Sequence, residues 1–148
     1  MCIRDSSSPV IEGGLVFATN FQGNLTAFDP SQRRAVWSTD ASSFHSPLII
    51  KGLIIVLNND GSIISFSGQT LSESWTNEEY LRRGLSNATE HDGNVVFGDI
   101  EGYLHVINPL TGRTVGREKI SGNPIRYVSS RGNQLFALDS ELRMFALN

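Results

Sequence analysis

Residues Gly93–Ile107 read GNVVFGDIEGYLHVI: two apolar runs flank a polar turn whose glycine, Gly102, stands nine residues after the first. The same figure occurs at Gly14–Phe28 (GLVFATNFQGNLTAF) and Gly52–Phe66 (GLIIVLNNDGSIISF), with Gly23 and Gly61 in the second glycine place. A looser copy begins at Gly132, and successive copies start 38, 41 and 39 residues apart. Apolar pairs follow at matched offsets, as Leu25/Phe28, Ile63/Phe66 and Leu104/Ile107. Nine residues after each pair come Trp37, Trp75 and, in the third copy, Gly116. In the fourth copy Met144 and Leu147 fall one residue late, which predicts a turn with one extra residue. A fixed interval of about 40 residues is the mark of a repeat array.

Each copy has room for four short strands, which is one blade of a β-propeller. Propellers close with about four to eight blades. The expected fold is all-β: three four-stranded antiparallel blades plus an incomplete fourth, a fragment of a larger ring. The first blade reads as Ser7–Glu12, Leu15–Asn20, Leu25–Phe28 and Ala35–Thr39, with turns at Gly13–Gly14, Gln22–Gly23–Asn24 and Asp29–Pro30. Proline presets φ and glycine supplies positive φ in such turns. The second blade reads as Pro47–Ile50, Leu53–Asn58, Ser62–Phe66 and a strand around Trp75. Leu53–Leu57 is apolar without alternation, as expected of a strand covered on both faces. Thr76–Ser86 (TNEEYLRRGLS) predicts a helical turn capped by Asn77, with Glu78 and Glu79 in its first turn. The third blade runs from about Asn87 to Ser121, and its turn Asn108–Gly112 closes on Gly112. The last copy reads as Ile125–Ser129, Gln134–Leu138 and Leu142–Leu147.

Composition agrees with many tight turns: 148 residues hold 14 glycines, 39% are hydrophobic and 18% charged. A net charge of −3 and a pI near 5.5 argue against a nucleic-acid partner, which needs clustered Lys and Arg. Arg33–Arg34 and Arg82–Arg83 are pairs and read as solvated loop charges. Cys2 is the only cysteine, so no internal disulfide forms and the redox compartment stays open. No apolar run approaches the ~18 residues of a membrane span. Met1–Ser6 (MCIRDS) reads as a non-native leader, which puts the propeller portion at 7–148 and removes any meaning from the lack of a visible signal peptide.

Three histidines raise a metal reading. His45 falls in a connector, His91 in a turn and His105 in a third strand, and no metal-ligand spacing joins them. His105 fills the slot of Thr26, Ile64 and Met144, which reads as variable packing. The acids Asp29, Asp60, Asp99, Glu101 and Asp139 lie in or beside turns, where aspartate bonds its own backbone. No nucleophile elbow, phosphate loop or dinucleotide fingerprint occurs. Asn24–Thr26 and Asn87–Thr89 match a glycosylation triplet and read as strand and connector residues. Trp37 and Trp75, at one fixed blade position, read as packing between blades. The expected site set is therefore empty of catalytic, cofactor and metal residues. It holds only structural repeat positions: Gly14, Gly23, Trp37, Gly52, Gly61, Trp75, Gly93, Gly102 and Gly112.

Ala27-x-Asp29 followed by Trp37, the Thr111–Gly112 pair and Trp75 together resemble the A-x-D-x-x-T-G-x-x-x-W signature of quinoprotein-type (PQQ-like) propeller repeats. A closer resemblance covers Ser7–Asn148. SSPVIEGGLVFATNFQGNLTAFD, the connector Tyr80–Leu85 and GNVVFGDIEGYLHVINPLTGR are similar to the C-terminal blades of the BamB family of outer-membrane protein assembly factors, with Gly98–His105 (GDIEGYLH) the most specific part. The resemblance implies an eight-bladed parent held at the periplasmic face of the outer membrane of a Gram-negative bacterium, lipid-anchored through its missing N-terminal part. It implies a scaffold with no catalysis and no bound quinone or other cofactor. The implied partners are the periplasmic domains of a BamA-type barrel assembly subunit and unfolded outer-membrane proteins. The family's partner-contact loop lies upstream of this chain. Its acidic pair would precede Ser7, where only Asp5 and Ser6 stand, so no contact residue carries over. The competing expectations are the propeller portion of a PQQ-dependent dehydrogenase and a sensor ectodomain.

Overall fold

The computed structural model describes residues 8–19 and 23–147. The expected leader over 1–6, and the expectations resting on Ser7, Asn20, Gln22 and Asn148, lie outside the described residues. Among the described residues fifteen strands form four antiparallel sheets. The first holds β1 (Val10–Glu12), β2 (Leu15–Thr19), β3 (Asn24–Asp29) and β4 (Arg34–Asp40) in that order. The second holds β5 (Leu48–Ile50), β6 (Leu53–Leu57), β7 (Ile63–Ser67) and β8 (Glu73–Asn77). The third holds β9 (Ala88–His91), β10 (Asn94–Gly98), β11 (Tyr103–Ile107) and β12 (Thr114–Lys119). The last has three strands among the described residues, β13 (Ile125–Arg131), β14 (Gln134–Asp139) and β15 (Met144–Leu147). Each sheet is a meander of hairpins, and the first strands lie side by side in the succession β1, β5, β9, β13. Those strands form the inner edge of the stack, and β4, β8 and β12 the outer edge.

The core is a set of seams between blades. Phe17, Leu25, Ala27, Ile54, Val56 and Phe66 close the first seam, and Ile55, Leu57, Ile63, Val95, Phe97 and Ile107 the second. Val96, Leu104, Ile125, Val128, Leu135 and Ala137 close the third. In β6 the side chains alternate between two destinations: Ile54 and Val56 enter one seam, Ile55 and Leu57 the next. This is why Leu53–Leu57 shows no apolar–polar alternation. Side chains of a strand alternate faces with period two, and here both faces are covered.

Two expectations are corrected. Thr76–Ser86 contains no helix. The strand β8 continues to Asn77, whose Oδ1 accepts from Glu79 N (2.7 Å), and a single turn follows, closed by Arg83 N donating to Tyr80 O (3.1 Å). Arg82 sits at φ 64°, and its N–H is committed to Asp60 O (2.9 Å), so no second helical turn can add. The extra residue expected in the fourth copy does not exist either. Gly98 pairs with Leu104 and Leu138 with Met144, so the two hairpins have equal length. The glycine has moved instead. Gly132 occupies the first central position of its turn, the place of Asp92 in the third blade, as shown by the pairs Arg131–Gln134 and His91–Asn94.

Candidate functional site

In the second, third and last blades the residue that opens the turn between second and third strands ties its blade to the connector arriving from the blade before. Asn58 Oδ1 accepts from Ser42 N (2.9 Å). Asp139 Oδ2 accepts from Ser121 Oγ (2.7 Å) and Asn123 Nδ2 (3.4 Å). Asp99 Oδ2 takes Arg83 Nη1 (3.3 Å) from the same part of its connector. Main-chain bonds repeat the pattern, with Asn59 N donating to Ser42 O (2.7 Å), Ile100 N to Arg83 O (3.0 Å) and Ser140 N to Pro124 O (2.8 Å). One strand further in, the Asn87 amide bridges to β13, donating to Val128 O (2.8 Å) and accepting from Val128 N (3.0 Å).

In the third blade this tie becomes a buried polar cluster. Asp99 and His105 are 0% and 1% exposed, and His105 Nε2 lies 2.7 Å from Asp99 Oδ2. An ionised carboxylate only accepts hydrogen bonds, so Nε2 carries the proton. Asp99 Oδ1 accepts from Glu101 N (2.9 Å) and Tyr103 N (3.0 Å). Burial pushes the Asp99 carboxyl up, but the hydrogen bonds from His105, Tyr103 N and Glu101 N outweigh it, and the group titrates below its ordinary value of 3.8. Asp139 is lowered in the same way, against burial, chiefly by Ser121 and by the N–H groups of its own turn.

The His105 ring is stacked on Phe97 (centroids 5.5 Å apart) and Tyr103 (6.1 Å), with Tyr80 edge-on to both Phe97 and His105. Tyr80 Oη bonds Thr114 Oγ1, which donates to Glu79 Oε2 (2.9 Å), and burial raises the phenol's pKa. Glu79, Tyr80, Arg83, His105 and residues 114–117 line a cleft of about 390 Å³ beside this cluster. His105 Nδ1 is buried and has no hydrogen-bond partner among the described residues. The cluster can thus hold and orient an imidazole, and no hydroxyl or thiol among the described residues is hydrogen-bonded to its free nitrogen.

The expectation of variable packing at His105 is corrected by this geometry. Its counterpart in the last blade is Phe145, opposite Ala137 as His105 is opposite Phe97, and Met144 matches Leu104 instead. The other histidines lie elsewhere. His45 Nε2 faces Leu85 O (3.3 Å), with burial lowering its pKa, and His91, at the end of β9, places Nδ1 2.7 Å from Ser130 Oγ. Among the described residues no group of three His, Cys, Asp or Glu is placed to hold a metal ion. Asp29 and Asp60 cap their own turns through Ser31 and Ser62.

The tryptophans join blades. Trp75 Nε1 donates to Pro109 O (2.8 Å) in the following blade, and Asn77 Nδ2 donates to Gly112 O (2.7 Å) beside it. Gly112 (φ 73°) lies against the indole so closely that a Cβ there would come within 2.4 Å of the ring. Trp37 meets Phe66 edge-on at 5.3 Å, and Leu71, which occupies the place of Gly112, packs into the same seam. Blade three has Gly116 in the tryptophan position. A groove of about 400 Å³ runs along its seam there, between Val96, Leu104, Val106, Leu135 and Leu147.

Four-stranded antiparallel blades, joined by tryptophans seated on the next blade's turn, define a β-propeller of PQQ-like repeats. The family model described as outer membrane protein assembly factor BamB matches residues 4–140, and the chain belongs to that family. It is 31% identical to an outer membrane protein assembly factor BamB of Pseudomonas aeruginosa, over 86% of this chain and 36% of the relative. It is 32% identical to that of Escherichia coli (strain K12), over 79% of this chain and 30% of the relative. The chain therefore spans about a third of the length of these relatives. The crystal structure of BamB from Moraxella catarrhalis superposes with a TM-score of 0.86 at 22% identity, covering 95% of this chain and 42% of that one. The computationally designed Ika4 protein superposes with a TM-score of 0.78 at 12% identity, covering 95% and 91%. At such identities the likeness is one of fold.

Proposed function

We propose that this chain is part of a non-enzymatic scaffold in the machinery that assembles outer-membrane β-barrel proteins. In this reading it works at the periplasmic face of the outer membrane and belongs to a parent lipid-anchored through a part outside this chain. It docks the periplasmic domains of a BamA-type barrel subunit, with unfolded outer-membrane proteins as further partners. The observation that carries the reading is where the buried polar groups are spent. Asp99 uses both oxygens on His105, Arg83 and its own turn, and Asp139 uses its pair in the same way. Those contacts brace connectors against turns, which is what a rigid platform for protein contacts requires. The names of the relatives agree with an assembly role, and none of them favours the quinoprotein dehydrogenase. The test is a pull-down of the polypeptide that carries this chain against the isolated periplasmic domains of a BamA-type subunit. Saturable binding by preparations free of quinone and metal supports the scaffold. A protein that retains quinone or calcium and ignores the barrel subunit belongs with the dehydrogenases instead.

A further inference from the structure

The cleft beside His105 is walled by groups whose protons are already spent. An ionised Glu79 only accepts, so Thr114 Oγ1 gives its proton to Glu79 Oε2 (2.9 Å). Tyr80 Oη is bonded to the same threonine oxygen and must then donate to it. His105 gives its one ring proton, on Nε2, to Asp99 Oδ2 (2.7 Å). Three acceptors are left over on one cleft: His105 Nδ1, the lone pairs of Tyr80 Oη, and Glu79 Oε1. Among the described residues no donor reaches any of them. The imidazole nitrogen is the most telling of the three. His105 is 1% exposed, and a buried polar atom left without a partner costs free energy that the fold itself does not recover.

The two guanidiniums in the walls are engaged elsewhere. Arg83 Nη1 is held by Asp99 (3.3 Å) and Glu101 (3.5 Å), and the Arg117 guanidinium lies over the Tyr103 ring, 5.6 Å from its centroid. An entering anion would meet three acceptors. The complementary ligand brings several donors on one small atom, with a positive charge for Glu79. A primary ammonium has three N–H donors and no acceptor. Because His105 forms the buried floor, the group that reaches it must also be slender. Val115 and the bare backbone of Gly116 give an alkyl stem an apolar wall. We propose that this cleft binds a free small alkylamine, with its ammonium on His105 Nδ1, Tyr80 Oη and Glu79. Such binding is independent of the scaffold role and needs no contact with the barrel subunit.

The probe is n-butylamine, titrated into the polypeptide that carries this chain, made with isotope-labelled histidine. The titration is run at about pH 8, where an ordinary imidazole is neutral and an alkylamine is charged. The His105 Nδ1 resonance, recognised by its loss in His105→Phe, should shift saturably as the lone pair takes up a hydrogen bond. Butyrate and tetramethylammonium at equal ionic strength should leave it in place. The first has the stem without the ammonium, and the second has the charge without N–H groups. Glu79→Gln, a change at an exposed side chain, should weaken butylamine binding about tenfold, the worth of one charge-assisted hydrogen bond. A resonance indifferent to butylamine, or moved equally by butyrate or tetramethylammonium, overturns the site. Unchanged affinity in Glu79→Gln overturns the part given to that carboxylate. Nα-acetyl-lysine amide should bind no better than butylamine, and a clear preference for it would overturn the free amine in favour of a lysine side chain.

Discussion

At the scale of single residues, position and burial decide what each polar or aromatic group does. Trp75 and Gly112 form one unit, since the indole needs a backbone with no Cβ beneath it. Trp75 is half-buried, so Trp75→Ala should cost about 2–3 kcal/mol, somewhat under the core value for aromatic truncation. Urea denaturation would measure it. Gly112→Ala should destabilise as well, because the methyl meets the ring and the position holds a positive φ that alanine disfavours. Asp99→Asn exchanges one accepting oxygen for a donor inside a cluster of donors, and a loss of about 2–3 kcal/mol is expected. His105 was beyond sequence reasoning because its sister positions hold Thr26, Ile64 and Phe145, three residues with no shared chemistry. The legible hint was Asp99 six residues before it across a tight turn. Its other partner, Arg83, lies on a connector whose path only the fold reveals.

At the scale of strands and turns, the repeat interval was sufficient to place the hairpins, because each glycine-bearing turn recurs with its apolar flanks. The errors arose where one glycine served as the ruler. Gly132 belongs to a turn of the same size as Asp92–Gly93 but takes its first place, and counting from it manufactured an extra residue. The connector after β8 misled for another reason: Asn77, Glu78 and Glu79 carry helix-start chemistry, while Asp60 and Ile100 claim the backbone groups a helix would use. Protection should follow the seams. Amides of β6, β7, β10 and β11 lie inside sheets covered on both faces and should exchange slowest, and those of β15, with one paired edge, fastest. Hydrogen-exchange mass spectrometry checks the order, and a β15 as protected as β6 would contradict it.

For the whole molecule, acid is the expected weak point. Asp99 and Asp139 both titrate below their ordinary value when folded. The unfolded chain therefore binds more protons than the folded one as pH falls through that region. Their stabilisation is complete above the unfolded value near 3.8 and is lost as pH drops through the folded values. His45 acts in the same direction at higher pH, because a histidine held neutral by burial withdraws stability as pH falls below its ordinary 6.5. Urea midpoints should decline from about neutral pH downward and steepen in acid, and Asp99→Asn should flatten the steep part. The end blades expose Ile11, Phe28, Tyr127 and Met144, so the isolated chain should self-associate. Sedimentation showing a lone monomer at high concentration would refute this. The seating of tryptophans also gives the chain a direction in time. Trp75 takes its place only on Pro109 and Gly112, some 34 residues later, and Trp37 on Phe66 and Leu71. A chain emerging amino end first thus leaves its latest tryptophan unsettled until the following turn arrives. Each blade is locked by its successor, and folding during synthesis or export should trail the emerging end by about one repeat.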